Sequence, residues 1–278
     1  MCYACLVCMS DNVYYCFPLA QITQMKTICF ANHKGGVGKT TSTLNVGQVL
    51  ASRGSRVLLI DSDSQTNLSM SFDRQGTRHL GELLESDGKV AIMELMEPVG
   101  EGLHLVAASP RLQMVEKLMA GSSGLEFVLR EALETVEDQF DYCLIDTPPS
   151  LGGITYSALI AADAVFIPMQ PEYFGYNGLT SLLQACVRVR KHYNQKLKVG
   201  GIFFTKYSPT YRAAMHHQYV DLINQDEQLA PLVMEVSIRQ NTKLGEAQAM
   251  QEPILAYAPE SNGALDYTAL TDEILARL

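Results

Sequence analysis

Short apolar runs recur along the chain, separated by segments with helical spacing. TICFAN (27–32), RVLLID (56–61), LHLVAA (103–108), DYCLID (141–146), AVFIPM (164–169) and KVGGIFFT (198–205) read as strands. Their apolar positions are continuous rather than alternating, which predicts burial on both faces. Helical patterns lie between them, among them 123–137, 176–193 and a helix running from a glycine-rich loop to about Ser52. Strands alternating with helices predict an α/β fold, a mostly parallel twisted sheet with helices on both faces. Such sheets bind ligands at the carboxyl ends of their strands. The loop after the first strand, Asp61 and Asp63 after the second, and Asp146 after a central strand all fall at that edge. Residues 72–102 are more polar and less regular, and read as a helical insertion on the surface. With no internal repeat and no linker, residues 25–278 are expected to form one domain, with 1–24 as a separate tail.

Composition narrows the class. The chain has 278 residues, 47% hydrophobic and 18% charged, which suits a globular protein. A net charge of -9 argues against a general affinity for nucleic acid but leaves room for a local basic face. No run reaches the ~18 apolar residues that cross a bilayer. The first 24 residues hold no Lys or Arg and a single charge, Asp11, so they lack the basic start of an export signal. Cys2, Cys5, Cys8 and Cys16 fall there, at a spacing that can wrap a metal or cluster. The plainer reading is a tail ahead of Met25, from which MKTICFAN runs as a natural first strand. Cys29, Cys143 and Cys186 sit in apolar segments and read as core residues, consistent with a reducing, cytoplasmic location.

The chemistry concentrates in ANHKGGVGKTTSTLN (31–45). Gly35, Gly36 and Gly38 let the backbone turn tightly with its N–H groups inward, and the helix after them adds its positive end, so a polyphosphate is favoured there. Gly35, Gly36, Val37, Gly38, Lys39, Thr40 and Thr41 form the expected phosphate contact, with Lys39 reaching the terminal phosphates and the Thr40 hydroxyl on Mg²⁺. Asp146, ending an apolar strand before TPPS, stands where a phosphate-loop enzyme keeps the acid that holds Mg²⁺. Of Asp61 and Asp63, one is expected to position an attacking water, and Asp61 is a further candidate beside the metal.

One residue exceeds what a phosphate loop needs: Lys34, just ahead of the glycines. KGGVGKT resembles the deviant phosphate-loop signature of the ParA/MinD family of ATPases. RVLLIDSDSQTNLS resembles that family's second-strand motif, with Ser64 where proline is usual, and DYCLIDTPPSLG its second acidic motif. IPMQPEYFGYNGLTSLL and SIRQNTKLGEAQAMQEPILAYAPESNGALDY resemble later segments of the partition branch. The resemblance covers nearly all of 26–278. It implies that Lys34 reaches across a homodimer to the partner's ATP, that Asp63 is the acid linked to hydrolysis, and that ATP with Mg²⁺ drives dimerisation.

The resemblance also implies double-stranded DNA as a sequence-independent track and a ParB-like protein that stimulates release, on the nucleoid. Candidate DNA contacts are Lys206, Arg212, Arg239 and Lys243, with Arg188, Arg190 and Lys191 as a second group, although VRVRKHYNQKLK (187–198) also suits the capping of a helix end. Within the resemblance Lys243 falls where an arginine is implicated in DNA contact, and Arg239 matches one near the nucleotide. Membrane attachment is not expected, because the C-terminal DYTALTDEILARL carries Asp266, Asp272 and Glu273 against Arg277.

Overall fold

The computed structural model describes residues 24–74, 78–119, 121, 124–211 and 214–278. Cys2, Cys5, Cys8 and Cys16 of the expected tail, and the DNA-contact candidate Arg212, lie outside the described residues. In chain order the first half runs β1 (Lys26–Phe30), α1 (Lys39–Ser52), β2 (Val57–Asp61), α2 (Asn67–Met70), α3 (Leu80–Glu85), β3 (Met96–Gly100), β4 (Leu103–Val106), α4 (Leu112–Met119) and α5 (Val128–Glu134). The second half runs β5 (Tyr142–Asp146), α6 (Gly153–Ala161), β6 (Ala164–Met169), α7 (Tyr173–His192), β7 (Lys198–Phe204), α8 (Ala214–Gln225), α9 (Thr242–Ala249), α10 (Ile254–Tyr257) and α11 (Asn262–Arg277).

The sheet has seven strands in the order β3-β4-β2-β5-β1-β6-β7, parallel except for β3. Successive strand residues face opposite ways and both sides are covered. Ile28, Phe30, Leu59, Leu144 and Phe166 pack with α1 and α11. Cys29, Leu58, Ile60, Ile145 and Ile167 pack with the helices of the other face. This is why the strands read as unbroken apolar runs. Gly47 lets α1 lie close on β2, since a Cβ there would sit 2.7 Å from Leu59 Cδ2. Among the described residues no helix is long and apolar enough to cross a membrane.

Residues 72–102 depart from expectation. They contribute α3, a 3-10 turn at Ile92–Glu94 and β3, which pairs antiparallel with β4 at the edge of the sheet. Leu80, Leu83, Leu84, Ile92 and Leu95 are buried, so the segment is part of the core rather than a surface insertion. Its strand was hard to read because an edge strand is half exposed and tolerates proline, here Pro98.

Register sets the functional edge. Phe30 and Asp61 both pair with Asp146, from the two sides of β5. The ends of β1, β2 and β5 are therefore level, and the loop after β1 lies beside the two strand-terminal aspartates.

Candidate functional site

The loop after β1 turns through Gly36 and Gly38, at φ 71° and 97°, a left-handed backbone that glycine adopts without strain. Gly38 caps α1 with no side-chain hydrogen bond, and the first turn carries no acidic residue. The helix thus presents bare N–H groups and an uncompensated positive end. Neighbouring strands hold the loop in place. Thr205 Oγ1 donates to the Val37 carbonyl at 2.9 Å and Gln170 Nε2 to the Gly36 carbonyl at 2.8 Å.

Lys39 is buried, and its Nζ donates to the Lys34 carbonyl at 3.1 Å. Burial lowers its pKa, with Asp146 and Asp63 opposing that shift. Thr40 Oγ1 donates to Asp146 Oδ2 at 2.7 Å. Asp146 Oδ1 is buried and has no hydrogen-bond partner among the described residues. Burial, then the charge of Asp61, pushes the Asp146 carboxyl well above the ordinary carboxylate range. An orphaned buried carboxylate oxygen beside a threonine hydroxyl and a bare helix terminus fits a hard divalent cation, which takes oxygen ligands and lowers the cost of the charge.

Asp61 has a different setting from the one expected. Its Oδ1 accepts from the Asp63 amide at 3.1 Å, and its Oδ2 from the Ser69 amide at 2.8 Å and the Ser69 hydroxyl at 2.7 Å. It anchors the turn after β2 instead of offering a free oxygen beside the metal. Burial still pushes it up to about 6 against those hydrogen bonds. Asp63 lines a cleft of about 600 Å³ together with Gly35–Thr41.

Lys34 points away from the phosphate cradle and forms an ion pair with Glu172 at the start of α7. That hydrogen bond holds the Glu172 carboxyl below its usual range. The structure brings Arg239 and Lys206 to the wall of the cleft, but Arg239 is forked onto the buried Asp266, with Nη2 at 2.6 Å from Oδ1. Lys243 stands on the first turn of α9, paired with Glu246 at 2.6 Å and 5.9 Å from the Tyr257 ring centre.

Sequence reasoning missed Glu172, Ser69, Asp266 and Tyr267, whose hydroxyl lies 3.3 Å from Ser42 Oγ on α1. Glu172 and Asp266 fall in the two later segments that carry the family resemblance, which was the available signal. Ser69 had none, since nothing local distinguishes it from the serines around it.

Residues 25–199 match the family described as AAA domain. The chromosome-partitioning ATPase Soj of Treponema pallidum (strain Nichols) is 38% identical over 252 residues, covering 91% of this chain and 98% of Soj. The chromosome partitioning protein ParA of Myxococcus xanthus (strain DK1622) is 36% identical over 254 residues, covering 91% of this chain and 88% of that protein. Among solved structures, cobyrinic acid a,c-diamide synthase from Mycobacterium smegmatis with bound ATP analog and magnesium superposes with a TM-score of 0.77 at 28% identity, over 90% of this chain and 94% of that one. The chain belongs to the AAA-domain family, in the ParA/MinD group that the Soj and ParA chromosome-partitioning proteins represent.

Proposed function

We propose that the chain is a partition ATPase. It binds ATP with Mg²⁺, forms a homodimer around the nucleotides, and in that state holds double-stranded DNA without sequence preference. A ParB-like partner stimulates hydrolysis and resets it to monomers on the nucleoid of the cytoplasm. The observation that carries the reading is the bare N-terminus of α1 beside Lys39 and the Thr40–Asp146 pair with its orphaned oxygen. A cleft of about 600 Å³ falls in the range of small-molecule and cofactor sites.

Each step draws on a side chain already in place. Phosphate oxygens replace the Lys34 carbonyl as the acceptor for Lys39 Nζ. Thr40 and Asp146 would hold Mg²⁺, which when bound neutralises charge on the phosphates. Asp63, at the cleft wall, orients the attacking water. Lys34 leaves Glu172 and reaches the phosphates of the other protomer, adding positive charge where negative charge develops in the transition state. Dimer and nucleotide are coupled as a result, because Lys34 meets its target only when both are present.

The test measures duplex binding and light scattering with no nucleotide, with ADP and with a non-hydrolysable ATP analogue plus Mg²⁺, for the wild type and Lys34→Ala. The expected result is a dimer and a gain in DNA affinity with the analogue, both lost in Lys34→Ala while analogue binding survives. Equal DNA affinity in all nucleotide states would sink the switch.

A further inference from the structure

The basic residues of this acidic chain are unevenly spent. At the nucleotide edge Lys34, Arg239 and Lys243 are each committed to a carboxylate, and Lys39 is buried in the site. The opposite edge of the same sheet is different. Arg188, Arg190 and Lys191 end α7, Lys196 lies in the turn between α7 and β7, Lys198 begins β7 and Lys26 begins β1. All are exposed, and none forms an ion pair with a carboxylate among the described residues.

Lys26, Arg190, Lys196 and Lys198 line one hollow of about 430 Å³. Asp163 is the carboxylate on its wall, with Oδ2 accepting from the Thr27 amide at 2.9 Å, and Lys198 Nζ reaches the Leu278 carbonyl at 3.4 Å. Asp141, at the foot of β5, is taken up by Arg56. The helix dipole accounts for positive charge in the last turn of α7 but not for Lys26, Lys196 or Lys198, which are on no helix.

We propose that this edge is a second surface for the phosphate backbone of duplex DNA, one that acts without nucleotide. β1 and β7 are separated only by β6, so at ~4.8 Å between neighbouring strands the row of cations is about 10 Å wide. A duplex carries a charge every ~1.7 Å of axis, so such a row meets several phosphates at once and binds by releasing counterions. Duplex DNA is the polyanion the proposed function already puts within reach, and the choice of occupant rests on that reading. A dimer closed across the nucleotide edge leaves this edge open on both protomers. Its role is to keep the monomer near DNA between cycles, while the nucleotide-dependent contact supplies the switch.

The experiment titrates the whole chain with a random-sequence duplex, without nucleotide and with the ATP analogue plus Mg²⁺, from low to physiological salt. It compares the wild type, the triple variant Arg190→Glu/Lys196→Glu/Lys198→Glu, and a charge-matched control, Lys89→Glu/Lys117→Glu, at exposed lysines elsewhere. ATP turnover without DNA, which none of these residues touches, verifies that each variant is folded.

Without nucleotide the wild type is expected to bind on the order of 10⁻⁴ to 10⁻⁶ M, falling steeply with salt. The triple variant is expected to bind at least about tenfold more weakly, with a salt slope shallower by about 3, while the control stays near wild type. The surface is overturned if the wild type ignores duplex at low salt, if the triple variant matches it, or if the control loses as much. Binding to vesicles of anionic phosphatidylglycerol with none to duplex also overturns it and points to a membrane surface. The gain on adding analogue is read separately, so the switch and this surface fail independently.

Discussion

β2 and β5 end alike. Each closes on Ile-Asp, the two aspartates are register partners on neighbouring strands, and both are fully buried. Yet Asp61 has three donors on its two oxygens, whereas Asp146 has Thr40 on one oxygen and nothing on the other. The same residue at the same register is a structural anchor on one strand and an unfinished ligand site on the next. The difference lies in the path of the chain beyond each strand. After β2 it curls back so that Ser69 reaches Asp61, and after β5 it runs off through Thr147, whose hydroxyl bonds the Phe30 carbonyl at 2.8 Å. A buried carboxylate left short of donors is costly unless a cation completes it, which is why the unsaturated one marks the site.

Removing the unsaturated carboxylate has the largest effect. Asp146→Ala is expected to lower ATP turnover by about 100-fold or more, the scale of losing a positioned charge-stabilising group, while urea unfolding of the nucleotide-free chain is unchanged or shifted to higher denaturant. A fall in stability comparable to a core deletion would erase the contrast. For the saturated partner the order reverses. Asp61→Ala strands the Ser69 and Asp63 donors and is expected to cost on the order of 3 kcal/mol in urea unfolding, with turnover per folded molecule reduced far less.

The two carboxyls agree in one respect, the sign of their pH effect. Burial raises both, so between the ordinary aspartate value of 3.8 and the Asp61 value of about 6 the folded chain binds more protons than the unfolded one. Stability from these groups is therefore present at low pH and falls as pH rises through that window. Thermal melts of the nucleotide-free chain between pH 4 and 6 test it. ATP with Mg²⁺ is expected to flatten the slope, because a cation at Asp146 favours the charged form. A slope that ATP and Mg²⁺ leave unchanged would mean Asp146 is not the ligand.

The smallest effect is at Glu172. Its pair with Lys34 is largely exposed, so Glu172→Gln is expected to change stability by less than about 1 kcal/mol. Freed of that partner, Lys34 is expected to lower the ATP concentration for dimerisation a few-fold, read by light scattering. A higher requirement would show that Glu172 orients Lys34 for its task rather than holding it back.

Much of this site was legible without coordinates. A glycine loop between an apolar strand and a helix, with Lys39 and Thr40 at its close, has one economical physical reading, and the structure places those residues together at the end of α1. Strand-terminal Asp146 was legible for the same reason, since continuous apolar runs end where the chain leaves the core. The roles of Glu172 and Ser69 were not, because their partners lie far along the chain or across a turn whose path no local pattern specifies. β3 was missed for a related reason: a half-exposed edge strand broken by proline carries little periodicity.

What the sequence by itself determined was the alternation that makes the sheet and the loop chemistry that binds phosphate, both products of short-range sterics and hydrophobic burial. Only the tertiary structure decided which charges are already neutralised. It assigned Lys34 to Glu172, Arg239 to Asp266 and Asp61 to Ser69, and it left Asp146 short of a ligand at one edge and a row of cations without carboxylate partners at the other. Charge pairing depends on distance and solvent exposure between residues remote in sequence, and neither is encoded in the order of the residues around them.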